Sequence, residues 1–109
     1  VFNGKVFVKE NIYHVKASQS SNNLLLSDVA EINTKPELEI YSDDVSCAHG
    51  ATVGQLDADS IFYLRARGIP EIVAKKMLVE AFLEEALSQL PLESVKTEVM
   101  KIISKPNTL

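Results

Sequence analysis

The chain has 109 residues, with 11 Lys and Arg against 15 Asp and Glu, a net charge of −4. That length fits one domain or a piece of a larger one. The acidic balance opposes binding to nucleic acid or an anionic membrane, because neither offers a counterion for an acidic surface. The single cysteine leaves no internal disulfide, and a free thiol suits a reducing compartment, so the expected location is the cytoplasm. No apolar run approaches the roughly 20 residues of a membrane span, and the N-terminus lacks the basic, apolar, small-residue order of a secretory signal. The chain opens at Val1 inside an alternating apolar segment with no preceding turn or cap, and reads as an excised fragment.

From Val1 to about Leu56 the sequence is strand-like. The runs are Lys5-Val6-Phe7-Val8-Lys9, Tyr13-His14-Val15, Asn23-Leu24-Leu25-Leu26 and Glu37-Leu38-Glu39-Ile40-Tyr41. The last alternates, with Leu38 and Ile40 on one face, as a half-buried strand should. Asn3-Gly4, Ser18 to Asn23, Ser27-Asp28 and Thr34-Lys35-Pro36 read as turns. The apolar runs starting at Val6, Leu24 and Leu38 lie 18 and 14 residues apart. That is longer than the spacing of a meander with tight hairpins, and it favours stacked coils with polar corners, a β-solenoid.

At Asp57 the period changes. Its carboxylate is placed to cap a short helix over about Ala58 to Arg67, with Ile61, Leu64 and Tyr63 as the apolar side and Gly68 as the stop. Pro70 opens a second helix to about Gln89. Its expected inward stripe is Ile72, Val73, Met77, Ala81, Leu83 or Phe82, Leu87 and Leu90. Pro91 ends it, a third helix covers roughly Leu92 to Ser104 with Val95, Val99, Ile102 and Ile103 inward, and Pro106-Asn107-Thr108-Leu109 should fray. Strands first and helices second make an α+β arrangement.

The chemistry concentrates between Asp43 and Gly54. Cys47 and His49 are two apart, so in an extended segment both point to one face and can meet one object. Thiolate and imidazole are donors for zinc or an iron–sulfur cluster, but a closed site commonly takes four, so a partner would have to supply the rest. In the structural alternative, Cys47 is a small buried apolar group and His49 bonds a loop carbonyl. A Cys47 nucleophile activated by His49, in a small thiol hydrolase or metal enzyme, is the competing functional reading, although no orienting acid or oxyanion motif adjoins it. Asp43-Asp44 reads as a solvated turn, and His14 as a surface or packing residue. Gly50 and Gly54 match neither nucleotide-binding glycine pattern. The mixed charges of the second helix read as a solvated face, while Arg65, Arg67 and the Gly68-Ile69-Pro70 junction are candidates for a partner surface.

Four stretches carry a resemblance. Asn23-Leu24-Leu25-Leu26-Ser27-Asp28, Thr34-Lys35-Pro36-Glu37-Leu38-Glu39-Ile40, Asp43 to Gly54, and Phe62-Tyr63-Leu64-Arg65-Ala66-Arg67-Gly68-Ile69 together resemble the C-terminal part of the SufB/SufD family, the scaffolds of the SufBCD iron–sulfur cluster assembly complex. The likeness runs in order across about residues 4–88. Cys47-Ala48-His49-Gly50-Ala51-Thr52-Val53-Gly54 resembles the D-type paralogue where the B type has Glu-His-Glu-Ala-Thr, and Leu64 also suits the D type. The resemblance implies a parallel β-helix whose last coils span 1–56, followed by a helical subdomain of about three helices over 57–109. It implies no catalytic residue and no tightly bound cofactor, only a transient iron–sulfur cluster in the full complex.

By position, Cys47 and His49 would lie where a SufB-type paralogue and the D type meet. They would form a cluster-assembly interface and metal half-site, with His49 the more important. The helical segment Ile61 to Leu87 would dock a SufC-type ATPase, with Arg65, Arg67, Gly68, Ile69, Pro70 and Met77 as contact candidates. A truncated coil should also leave an exposed apolar end, so self-association of the fragment is expected.

Overall fold

The computed structural model describes residues 1–103. The chain divides into two compact units, Val1–Gln55 and Leu56–Leu109. The expected fraying of Pro106 to Leu109 lies outside the described residues.

The first unit holds four strands, β1 (Phe2–Val8), β2 (Val15–Leu25), β3 (Thr34–Ile40) and β4 (Val45–Gln55). Strands adjacent in sequence do not pair. Instead β1 pairs with β3 in parallel, from Phe2 with Thr34 to Val8 with Ile40, and β2 pairs with β4 in parallel, from Val15 with Val45 to Leu25 with Gln55. The result is two separate two-stranded sheets. Parallel partners cannot be joined by a tight hairpin, so the strand between them serves as the crossover.

This corrects the expected β-solenoid. The runs at Val6, Leu24 and Leu38 are not successive members of one stack, because Val6 pairs with Leu38 while Leu24 belongs to the other sheet. Among the described residues neither sheet has a third strand, so no solenoid forms. The order of strands before helices, and the number of helices, are as expected.

Three expected turns are strand. Asn3-Gly4 lies in β1, Ser18 to Asn23 in β2, and Thr34-Lys35-Pro36 in β3. The polar tract survives inside a strand because its side chains find partners. The Ser21 and Thr34 hydroxyls meet at 2.9 Å, and Asn23 Nδ2 donates to the Thr52 carbonyl at 3.0 Å and to the Ser21 carbonyl at 3.1 Å. Pro36, which has no N–H for a ladder, pairs in register with Gly4 in a sheet that needs only one hydrogen-bonded edge. Ser27-Asp28 does turn, the Ser27 carbonyl accepting from Ala30 N–H at 3.1 Å.

Along β1 the inward positions are Gly4, Val6 and Val8, of which Val8 is buried. On the opposite side, Lys5 Nζ donates to Glu39 Oε2 at 2.9 Å and the Tyr41 hydroxyl donates to Glu39 Oε1 at 2.7 Å. The Tyr41 hydroxyl, then Lys5, hold the Glu39 carboxyl below its ordinary range. Tyr41 also lies against Phe7, ring centroids 5.7 Å apart.

The second unit holds α1 (Ala58–Arg65), α2 (Glu71–Leu87) and α3 (Glu93–Ile103). Asp57 caps α1 as expected, its Oδ2 accepting from the Ser60 N–H at 2.8 Å and from the Ser60 hydroxyl. Gly68, at φ 86°, lets the chain reverse after α1, with Gly68 N–H on the Arg65 carbonyl at 2.9 Å and Ile69 N–H on that of Leu64 at 3.3 Å. The Pro70 carbonyl then starts α2, accepting from Val73 and Ala74.

The inward stripe of α2 differs from the expected one. Ala74 and Val79 are buried and Leu78, Phe82, Leu83 and Leu87 half-buried, whereas Ile72, Val73, Met77 and Ala81 are exposed. Apolar residues occur on every side of this helix, so three- and four-residue spacing alone selects no unique face. In α3, Val99 and Ile103 are half-buried while Val95 and Ile102 are exposed. Among the described residues no helix is long and apolar enough to cross a membrane.

Candidate functional site

In β4 the segment that carries Cys47 and His49 is extended, so the two side chains share a face. The parallel register extends that face across β2, placing Ala17 beside Cys47 and Gln19 beside His49. Cys47 is half-buried and His49 exposed. Among the described residues no hydrogen bond joins the two, and no group of three or more His, Cys, Asp or Glu is placed to hold a metal ion. Chemically the pair offers one thiolate and one imidazole, two donors towards a soft or borderline metal.

Among the described residues the strand that carries them is paired along one side only, with β2. Its other edge presents backbone N–H and C=O groups to whatever adds there, the usual template for pairing with another chain. Gly50 and Gly54, further along, have open space where a Cβ would stand, so neither is fixed by a close approach.

Two groups at this end of the unit escaped the sequence reading. His14 and Asp44 meet through Nδ1 and Oδ2 at 2.8 Å. Their separation in sequence hid the contact, and the signal available was the turn-forming Asn11 upstream, which with His14 takes positive φ. Gln19 projects from β2 onto Gly4 of β1, and its Oε1 is buried without a hydrogen-bond partner. A lone long amide among the small residues at the alternate positions of β2 was the signal there.

In the helical unit the docking candidates gather at the α1–α2 turn. Arg65 pairs with Glu71 at 3.3 Å. The Lys75 hydrogen bond and charge, then the Arg65 charge, hold the Glu71 carboxyl below its ordinary range. The Arg67 guanidinium stacks over the Tyr63 ring, 3.4 Å from its centroid. Gly68 and Pro70 shape the turn, Ile69 is half-buried, and Met77 is exposed alongside Ile72 and Val73. Apolar side chains thus flank paired arginines on one short stretch. Phe62, with 72% of its surface exposed, belongs to the same region and was not among the expected contacts.

Comparison with known proteins gives a consistent answer. The model of the SufBD core domain, SUF system FeS cluster assembly, matches residues 1–82. An iron–sulfur cluster assembly SufBD family protein of Synechocystis sp. is 47% identical over 104 residues, covering 95% of this chain and 23% of that protein. The iron–sulfur cluster assembly protein SufD of Escherichia coli is 45% identical, covering 96% of this chain and 25% of that protein. SufD of Bacillus subtilis is 34% identical, covering 96% and 24%. The chain therefore spans about a quarter of the length of these curated relatives.

Proposed function

This chain belongs to the SufBD core family of the SUF system for iron–sulfur cluster assembly, and on that premise we propose that it is part of a non-enzymatic, cytoplasmic scaffold. In this reading it pairs with a SufB-type paralogue through β4 and docks a SufC-type ATPase through the α1–α2 region. The observation that carries it is the placement of Cys47 and His49 on one face of a strand with an open edge. A chain adding at that edge brings its own donors alongside the two, which turns a half-site into a site for a transient cluster. The cluster is cargo here, not a resident cofactor. The exposed Phe62, Ile72, Val73 and Met77, interleaved with Arg65 and Arg67, have the composition of a partner surface.

The test uses the full-length protein reconstituted anaerobically with SufB-type and SufC-type partners. Cys47→Ser and His49→Ala should lower cluster yield, His49→Ala the more strongly, while ATPase binding stays intact. Unchanged yield in both variants would sink the half-site. Met77→Glu should instead weaken ATPase binding and spare the thiol and imidazole. The segment in isolation should self-associate through its open strand edges, and a strictly monomeric mass at high concentration would count against that.

A further inference from the structure

Gln19 stands apart among the polar side chains of the strand unit. Its Oε1 is buried and accepts no hydrogen bond, an arrangement native proteins seldom leave unexplained. A Cβ on Gly4 would lie 1.7 Å from Gln19 Nε2 and 2.9 Å from its Cδ, so the amide rests directly on the Gly4 backbone in the space that only glycine leaves. One end of the amide is thus seated on β1 while its root is in β2.

The register limits the donors that β2 and β4 can offer this oxygen. On the face shared by β2 and β4, Gln19 has Ala17 and Ser21 before and after it, His49 directly across, and Cys47 and Ala51 on the diagonals. The alanines carry no polar side chain. Ser21 is already engaged with Thr34 Oγ1 and Asn23 Nδ2. Cys47 is a weak donor. His49 alone among these neighbours brings a strong side-chain N–H, and parallel partners stand only about 4.8 Å apart.

We propose that Gln19 is the positioning residue for His49, its Oε1 taking one imidazole N–H once the His49 ring turns to it, so that the other ring nitrogen keeps its lone pair for the incoming metal. A neutral imidazole has one donor and one acceptor nitrogen, and whichever nitrogen holds the hydrogen bond decides which one binds. Metal-binding histidines are commonly fixed in this way by an oxygen behind them. The role rests on the reading of His49 as a cluster or metal donor. Gly4 belongs to the same device, because its missing side chain is the seat of the amide.

The test is nuclear magnetic resonance of the full-length protein with isotopically labelled histidine, the His49 signals assigned by their loss in His49→Ala. Ring-nitrogen shifts report the tautomer without cluster or partner. Wild type should hold His49 in one tautomer with a slowly exchanging ring proton. Gln19→Ala should give a mixture of tautomers and weaken zinc binding, measured with the metal alone, by about 10-fold or more. Gln19→Glu keeps an acceptor at the same reach and should retain the slow proton. A tautomer mixture in wild type, or a single unchanged tautomer in Gln19→Ala, overturns the proposal. If Gln19→Ala does not fold, wild type and Gln19→Glu still decide it. A fixed tautomer together with normal cluster yield in His49→Ala would overturn the scaffold-site reading and leave the pairing standing. A mixture together with lost yield would do the reverse.

Discussion

One oxygen of Asp44 accepts the His14 backbone N–H at 3.0 Å and lies 2.8 Å from the same residue's Nδ1. This contact fixes the entry to β2, because His14 sits at φ 59° immediately before Val15, whose own N–H donates to the Asp44 carbonyl at 3.3 Å. Asp44→Ala removes the acceptor and should destabilise the strand unit by about 1 kcal/mol, the usual net worth of a hydrogen bond. Asp44→Asn, which keeps an oxygen, should cost less. Amide hydrogen exchange across β2 and β4 reads the difference, and equal protection in all three proteins would contradict it.

Gly4→Ala drives a methyl group into the Gln19 amide. The clash falls on the far end of a flexible side chain, so the amide moves and the expected loss is about 1–3 kcal/mol. The double variant Gly4→Ala with Gln19→Ala should recover part of that loss, since the obstructing group is gone. A double-mutant cycle measured by urea unfolding gives the coupling. Strict additivity would mean the two residues do not interact.

Gly68→Ala places a side chain at φ 86°, where L-residues are strained. The expected cost to the helical unit is about 1–2 kcal/mol, with Gly68→Asn cheaper because asparagine tolerates the left-handed region. Thermal unfolding followed by helical circular dichroism is the measurement.

Two opposite pH dependences are expected. The Ser60 hydroxyl, then the Ser60 N–H, hold Asp57 below its ordinary value of 3.8. Its contribution is complete above that value and is lost as pH falls through the lower folded one. The excess helix content of wild type over Asp57→Ala should therefore vanish in strong acid. Lys5 is raised above its ordinary 10.5, chiefly by its hydrogen bond to Glu39, and Tyr41 above 10.0 by donating to the same carboxylate. Their contributions are complete below those values and are lost as pH rises through the higher folded ones. The stability gap between wild type and Glu39→Gln should close in strong alkali.

The helical half was legible because its signals are local. Asp57, Gly68 and Pro70 each act within one turn of the helix they bound, so the cap, the stop and the start could be read directly. Which side of α2 faces inward was not local. Ala74 and Val79 are buried because of what packs against them, and exposed Ile72 is indistinguishable from them by spacing. In the strand half, alternation at Leu38 and Ile40 was visible, but pairing was not. Ser18 to Asn23 looked like a corner because its hydrogen-bond partners, Thr34 and Thr52, are distant in sequence. For the site, spacing alone put Cys47 and His49 on one face. Gln19 entered only through the register, and the role of Asp44 only through its contact with His14.

The skipped strand pairing also dictates when the strand unit can form. Phe2 meets Thr34 and Val15 meets Val45, each about 30 residues along the chain. No hairpin exists to nucleate, and closing loops of that length costs entropy before any ladder repays it. Within this segment β1 finds its partner only when β3 follows, and β2 only when β4 follows. The helices can coil as soon as they emerge. Folding of this segment is therefore gated by the arrival of β4, and the same strand that presents Cys47 and His49 is the one whose appearance completes the second sheet.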